Sequence, residues 1–569
     1  MNAKEQISLF DNIFIEQAEY IKDEAFIKWS ATHPNEENII KKLSQSGAKV
    51  ITGPRGCGKT TLMLKVYNRL LVKRGKIAFP IYVNFKFSLK MEPLYHTKSN
   101  ATYWFTQWLL LKIYIGFLES LKKLKVTVMN NLFLEKDVNK IIRQIEIGDI
   151  ESIDTSKVLT VELLEMHIKE ILEQLNKTHC VLLLDDAAHA FSTEQQKDFF
   201  DLFRQLKSRF ISPKAAIYPG ITVYSSSFHV GHDAEEIDVW LKPEDKGYLE
   251  FMIALLQNRL SDENFMLLIG DIELLNILCF SCFGIPRALI NMIQSIFSAD
   301  ENYDVFSKSN YNIANVKKAV KESFSRTENI FLSLKVKLPV YLNFIERGKI
   351  VFDNMVEGLK TYNKGKESDK QAVVVAVKHP IPKELEKVFS FLQYAGLIMY
   401  RQKLNKGEKG VFDLYTVHYG ALIERNAFIG KQNISVGELA LSLQKRSSQE
   451  FKRTTADNLV GSSDYGTVFT FSLPNCPKCD TPRASENAKF CLECGAQLKS
   501  ASLYQGLINN DIAELQLTKS RIQNIKNESS IRTIKDILMD NGGVELRKVN
   551  MIGEIWAQRI MALTEEYLV

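Results

Sequence analysis

An α/β core on a parallel sheet, followed by a helical lid and a string of smaller modules, is the fold this 569-residue sequence predicts. Three observations carry the prediction. The stretch AKVITGPRGCGKTTLMLKVYNRLL runs from a short β-branched strand through a Gly-rich turn into an amphipathic helix. In HCVLLLDDAAHAF, five consecutive apolar residues end in paired carboxylates, the pattern of a parallel strand buried on both faces. In CPKCDTPRASENAKFCLECGAQL, two C-x-x-C pairs stand eleven residues apart in an otherwise polar segment.

Size and composition set the frame. At roughly 150 residues per domain the chain is too long for one core and predicts about three or four units. Apolar residues make up 45% and charged residues 25%, values usual for soluble globular protein. The net charge of +6 permits an acidic partner such as nucleic acid without requiring one. The N-terminus shows no basic segment followed by an apolar one, and the greasiest stretches are broken by Gln, Lys, Glu and Asp. The expectation is a cytoplasmic protein without a membrane span. Four of the eight cysteines are clustered late and four are scattered in apolar context, which fits a reducing compartment better than a disulfide framework.

The first motif is G-x-x-x-x-G-K-[ST]: Gly53, Pro54, Arg55, Gly56, Cys57, Gly58, Lys59, Thr60, then Thr61. Its glycines let backbone N–H groups close around phosphate oxygens at the positive end of the following helix. In such a P-loop, Lys59 reaches the β- and γ-phosphates and the Thr60 hydroxyl ligates Mg²⁺. The apolar strand Cys180–Leu184 delivers Asp185 and Asp186 to the carboxyl edge of the sheet, where ligands of open α/β folds bind. Asp185 is the expected Mg²⁺ carboxylate, and His189 either assists or caps the next helix. The cofactors implied are ATP and Mg²⁺.

Further strands are expected at KIAFPIYVNFKF and AAIYPGITVYS. The second would lie between the two motif strands and offer Thr222 as a γ-phosphate sensor. The turn Gly284-Ile285-Pro286-Arg287 opens a helix with a cation at its start, where the helix dipole does not favour one. Arg287 is therefore expected to face an anion, for instance a γ-phosphate.

GPRGCGKTT, LLLDDA and GIPRALINMI together resemble the AAA+ ATPases of the origin-recognition and transposition-targeting type, with the STAND signalling ATPases as near relatives. The resemblance covers about residues 30–300. It implies a lid-arginine (sensor 2) role for Arg287, and for Asp186 the place where many such ATPases use Glu to orient the attacking water. Asp is one methylene shorter, so slow hydrolysis is expected. No arginine occurs between Lys214 and Arg259, where the family's trans-acting finger usually lies. The finger is here either missing or supplied by Arg204 or Arg209.

The domains expected are a core at 1–240 with a helical insertion near 90–176 and a helical lid at 241–300. A winged-helix-like unit at 301–445, a linker at 446–473, a zinc ribbon at 474–500 and a helix-hairpin-helix domain at 501–569 follow. The insertion reads as helical packing or a partner surface. KELEKVFSFLQYAGLIMYRQKLNKGEKGVFDLYTVHYGALI reads as helix, strand, Lys/Gly-rich turn and strand. It is similar to a winged helix, with Lys403, Lys406 and Lys409 on the wing or on a solvated hairpin. Residues after about 445 are rich in Ser, Thr and charge, hence the linker.

Cys476, Cys479, Cys491 and Cys494 form two knuckles suited to tetrahedral Zn²⁺, with Gly495 fitting the second knuckle turn. Four ligands close the site, so its expected role is structural. The other C-x-x-C, Cys279 and Cys282, lies in an apolar helical run and reads as core. The tail resembles the helix-hairpin-helix domain at the C-terminus of the bacterial RNA polymerase α subunit. Val549, Ile552, Gly553, Ala557 and Ile560 fit that spacing, with Gly553 in the hairpin and Ala557 at a close helix approach. Residues 501–569 carry eight Lys/Arg and nine Asp/Glu, a net of −1, which argues against strong non-specific DNA binding by the tail alone. Arg521, Lys526 and Arg547 are its candidate basic patch.

The reading is an ATP-binding and hydrolysing switch in which Asp186, Lys59 and Arg287 are the catalytic candidates. It would act on DNA or a DNA-bound complex as a homo-oligomer, in mobile-element maintenance or antiviral defence by analogy. The alternative is a STAND-like signalling ATPase that assembles with ATP and recruits a protein effector. A third reading is a scaffold that binds ATP and scarcely hydrolyses it.

Overall fold

The computed structural model describes residues 17–568 except 22, 73–76, 87, 127–132, 155–157, 187–191, 298–309, 429–434, 445–449, 474, 477, 484–487, 489, 497 and 499–501. A short helix, α1 (Asp23–Trp29), leads into a core of five parallel strands. These are β1 (Lys49–Thr52), β2 (Phe79–Asn84), β3 (Cys180–Asp185), β4 (Ile211–Ile217) and β5 (Glu235–Asp238), in the spatial order β2-β3-β4-β1-β5. Asn84 pairs with Asp185, and Thr52 with both Ile217 and Asp238, so all carboxyl ends share one rim. Every residue of β3 is buried, as the unbroken apolar run requires. The P-loop connects β1 to α2 (Lys59–Val72) on that rim.

The insertion is helical and mostly core. Its longest helix, α3 (Ala101–Lys123), lays Trp104, Trp108 and Tyr114 into the same apolar cluster as Phe79, Ile81 and Leu182. A Cβ on Gly116 would stand 2.6 Å from the Tyr82 carbonyl, so α3 crosses β2 at a contact only glycine permits. Its apolar surface is buried against the sheet, and among the described residues no single helix is long and apolar enough to cross a membrane.

The segment expected as a lid comprises the helices Tyr248–Arg259, Asp262–Ile269, Ile272–Ser281 and α4 (Pro286–Phe297). Cys279 and Cys282 are buried in it, the latter 3.0 Å from the Cys279 carbonyl. Beyond it, α5 (Ile313–Lys337), the helix Leu342–Asn363 and α6 (Lys383–Ala395) pack on a second sheet. That sheet joins β6 (Val374–Lys378), β7 (Ile398–Asn405), β8 (Val411–Val417) and β9 (Lys452–Thr454) in the order β7-β8-β6-β9. The β7–β8 hairpin is the segment expected as a wing, and Lys403, Lys406 and Lys409 on it are exposed.

One expectation changes here. The segment assigned to a linker, 446–473, supplies β9, which pairs with β6 in parallel, and then Phe469 and Phe471, which pack on Phe344. A three-residue strand is too short to print a hydrophobic period, so composition hid it. The helix α6, which precedes β7, turns inward onto the core. The Lys387 ammonium donates to the Gly220 carbonyl (2.8 Å), and a Cβ on Gly220 would meet the Ser390 backbone at 2.4 Å.

The tail has its own small apolar core around Leu507, Ile525, Ile534, Val549, Ile552 and Ile560. It includes α7 (Leu503–Ile508), Lys519–Glu528, Ile534–Met539 and α8 (Glu554–Leu568). Ala557 does meet a glycine, but the glycine is Gly543, whose Cβ would lie 2.9 Å from that of Ala557. Gly553 has open space around it.

Candidate nucleotide and metal sites

The site forms where the sheet rim meets the lid. Gly56 adopts φ +81°, and a Cβ there would press within 3.1 Å of Arg287 and Ile285, so the loop packs against the start of α4 at this glycine. Lys59 is buried. Its ammonium donates to the Gly53 (2.7 Å) and Pro54 (3.1 Å) carbonyls and sits 3.7 Å above the centre of the Tyr218 ring. Burial pulls its pKa below the usual lysine range.

Beside it the Thr60 hydroxyl stands near enough to the Asp185 carboxylate to help lower its pKa. Asp185 accepts from the Tyr82 hydroxyl (3.0 Å) and the Asp186 N–H (3.1 Å). Burial, then the Asp186 and Glu19 charges, push Asp185 up to about 8. The adjacent Asp185 and Asp186 carboxylates beside a threonine hydroxyl have the chemistry of a divalent-cation site; Thr60 and Asp185 are the side chains that would hold Mg²⁺. Asp186 takes a left-handed backbone (φ +54°), and its carboxylate accepts from the Tyr218 hydroxyl at 2.7 Å.

Tyr218, at the end of β4, is the residue sequence reasoning missed. Thr222, expected as the sensor, instead staples the turn: its hydroxyl donates to the Tyr218 carbonyl (2.8 Å) and accepts from the Tyr218 N–H (3.0 Å). The pocket also has an apolar wall from Phe26 and Trp29 of α1, with Phe251, Leu255 and Ile290 from the lid. That wall suits the flat face of a base, and the only trace of it in the sequence is the aromatic pair in DEAFIKW. His189 lies outside the described residues. Arg204 and Arg209 are exposed near the amino ends of the strands, on the rim opposite the P-loop.

Arg287 does face an anion, but that anion is a side chain of the tail. Its guanidinium pairs with Glu566 of α8, and Arg55 reaches the same carboxylate (Nε to Oε1 3.4 Å) and donates to the Glu566 carbonyl (3.2 Å).

The four-cysteine cluster lies apart from this pocket in sequence. The Sγ atoms of Cys476, Cys479, Cys491 and Cys494 all lie within 4.8 Å of one another, with 3.5 Å between Cys476 and Cys494 and between Cys479 and Cys491. Zn–S bonds of about 2.3 Å in a tetrahedron give sulfur separations of about 3.8 Å, while a disulfide needs about 2.05 Å. The cluster therefore fits a zinc ion and not two bridges. The knuckles match in backbone: Asp480 N–H to Cys476 O (2.8 Å) and Gly495 N–H to Cys491 O (3.0 Å), each donor residue with positive φ. The Thr481 hydroxyl, 3.1 Å from Cys479 Sγ, helps hold that thiol below its usual range.

Residues 37–231 match a family described as an ATPase domain predominantly from Archaea. No curated protein matches the sequence. Among solved structures, the Orc1 protein of Aeropyrum pernix in complex with DNA is 13% identical, with 70% of this chain and 93% of that one covered and a TM-score of 0.28. For Cdc6p of Pyrobaculum aerophilum the identity is 13%, the coverage 71% and 99%, and the TM-score 0.27.

Proposed function

We propose that this chain is an ATP-binding and hydrolysing switch that acts on DNA or a DNA-bound complex. The observation that carries the nucleotide reading is the meeting of Gly56, Gly58, Lys59 and Thr60 of the P-loop with Asp186, which follows β3, and Arg287 in one pocket at the sheet rim. Bound Mg·ATP supplies the scissile phosphoanhydride. Lys59 would leave the Gly53 and Pro54 carbonyls for the β- and γ-phosphates, Thr60 and Asp185 would hold the ion, and Phe26 and Trp29 would flank the base. Arg287 and Arg55 are placed to neutralise terminal-phosphate charge from the lid and the loop. Asp186 would orient the attacking water with its carboxylate fixed by Tyr218. One methylene shorter than Glu and held by that bond, it suits slow turnover.

The DNA reading rests on the wing, whose Lys403, Lys406 and Lys409 are exposed and able to contact phosphates. The zinc knuckle would serve as a rigid structural unit between wing and tail, and the tail as a helix-hairpin-helix reader. A slow, target-triggered switch of this kind suits mobile-element maintenance or antiviral defence. One observation favours the STAND-like alternative: α6 and the tail are both folded back onto the core, as in a closed form that ATP would open for a protein effector.

Turnover with and without duplex DNA, together with mass by light scattering, separates the readings. DNA-stimulated turnover supports the first. ATP-dependent assembly indifferent to DNA supports the second, and tight ATP binding without turnover leaves a scaffold. Lys59→Ala should abolish ATP binding; unchanged affinity would refute the pocket.

A further inference from the structure

The tail reaches the nucleotide pocket with two adjacent carboxylates at the end of its last helix. Glu566 lines the same pocket as Gly58, Lys59 and Thr60. It meets cations from separate elements: Arg55 of the P-loop and Arg287 of the lid bind it directly, and the charges of Lys86, after β2, and Lys337, at the end of α5, act on it. Glu565 is bound one residue earlier. Its Oε2 accepts from the Lys86 ammonium (3.1 Å) and the Tyr20 hydroxyl (2.6 Å).

The neighbours make these contacts more than a surface ion pair. Burial, then the Arg55 charge, press Lys337 down to about 7. Burial alone would raise Glu566, yet Arg287 and Arg55, followed by Lys86 and Lys337, outweigh it and hold the carboxyl below its usual range. Such a concentration of cations in a half-buried cleft calls for an anion. Paired guanidinium groups bind carboxylate and phosphate oxygens by the same geometry.

Two further contacts fix where α8 ends. The Arg559 guanidinium donates to the side-chain amide oxygen (Oε1) of Gln294 on α4 at 2.5 Å. At the other end of the tail, Glu92 of the core caps α7, accepting from the Ser502 hydroxyl (2.5 Å) and the N–H groups of Leu503 (3.2 Å) and Tyr504 (3.4 Å). Leu89 beside it is buried in the tail's apolar cluster. A tethered carboxylate presented at a fixed place competes at high effective concentration with any free ligand.

We propose that Glu566, supported by Glu565, is an internal occupant of the anion-binding half of the nucleotide pocket, so that docking of the tail and binding of a nucleoside triphosphate exclude one another. The proposal rests on the nucleotide-site reading above and adds its regulation. By linkage, a partner that draws α8 away raises ATP affinity, and ATP loosens α8 by the same free energy.

The test uses the full chain and a non-hydrolysable ATP analogue. Glu566→Gln and the Glu565→Gln/Glu566→Gln pair should bind the analogue about 10-fold more tightly or better, the usual scale of one coupling free energy. In the wild type, the analogue should raise backbone hydrogen exchange across 554–568, and in Lys59→Ala it should not. An affinity in the Gln variants within about two-fold of wild type, with exchange in 554–568 unmoved by saturating analogue, overturns the latch and leaves the nucleotide site standing. Failure of wild type and variants alike to bind the analogue overturns the nucleotide site itself, and the latch with it.

Discussion

The Tyr218 hydroxyl donates to the Asp186 carboxylate at 2.7 Å, while the face of its ring lies 3.7 Å beneath the Lys59 ammonium. One side chain at the end of β4 therefore touches both Lys59, the proposed phosphate anchor, and Asp186, proposed to orient the water. Tyr218→Phe keeps the ring under Lys59 and removes only the hydroxyl. Asp186 then loses the bond that fixes its carboxylate. The expected outcome is a fall in kcat of about 10- to 100-fold, the scale of a misplaced acid–base group, with little change in KM. A matching loss in ATP affinity would mean that the hydroxyl serves binding and not orientation of the water.

The zinc cluster gives a separate expectation. Metal analysis should find one zinc per chain, and Cys491→Ser should release it, because three thiolates no longer close the tetrahedron. Such small knuckles draw their stability from the ion. Hydrogen exchange should rise across 476–498 and stay unchanged in the five-stranded sheet. Wild-type protein containing no zinc, or a variant that unfolds the core as well, would contradict this assignment.

Gly116 allows a direct test of core packing. A methyl group there would sit 2.6 Å from the Tyr82 carbonyl and 2.9 Å from Val83 Cγ2, both on β2. Backbone cannot yield as a flexible side chain can, so Gly116→Ala should destabilise the core by about 1–3 kcal/mol. Gly358→Ala is the control: it lies within the helix Leu342–Asn363 and its nearest neighbour would be 3.8 Å away. That change should be neutral or raise the thermal midpoint, as alanine does in a helix interior.

What the sequence disclosed follows from how local each signal is. The glycine spacing of the P-loop, the apolar run of β3 and the two cysteine knuckles are contiguous, and each sits where its pattern implies. The strand between the motifs was legible only in part. It begins at Ile211 and carries Pro213, a residue that argues against a central strand, and it ends before Pro219 and Gly220. That shift moved attention to Thr222 and away from Tyr218. The pairing of Arg55 and Arg287 with Glu566 could not be read at all. It joins residues 511 and 279 positions apart, and no periodicity or composition records such a contact. The strand Lys452–Thr454 failed for the opposite reason, being too short for its pairing with β6 to leave a pattern.

Lys214 gives the pH prediction. Its side chain is buried inside β4 and donates to the Gln45 carbonyl at 2.8 Å and to that of Gly47. Burial, then the Lys49 charge, bring its pKa down to about 7 from 10.5. Between these two values the unfolded chain holds a proton that the folded chain has lost. The unfolded state binds more protons, so folding stability from this group rises with pH across that window and is flat below about 7, where both states are charged. Replacing Lys214 with Met removes the titration. Cysteine thiols of the unfolded chain and Asp185 of the folded one also titrate in this range, so the quantity to follow is the difference between wild type and Lys214→Met, in which their contributions cancel. Wild type should gain on the variant by up to about 1.4 kcal/mol per pH unit from pH 7 to 10, measured by denaturant unfolding at each pH. Parallel stability curves for the two proteins would show that Lys214 keeps its proton inside the fold, held by the two carbonyls.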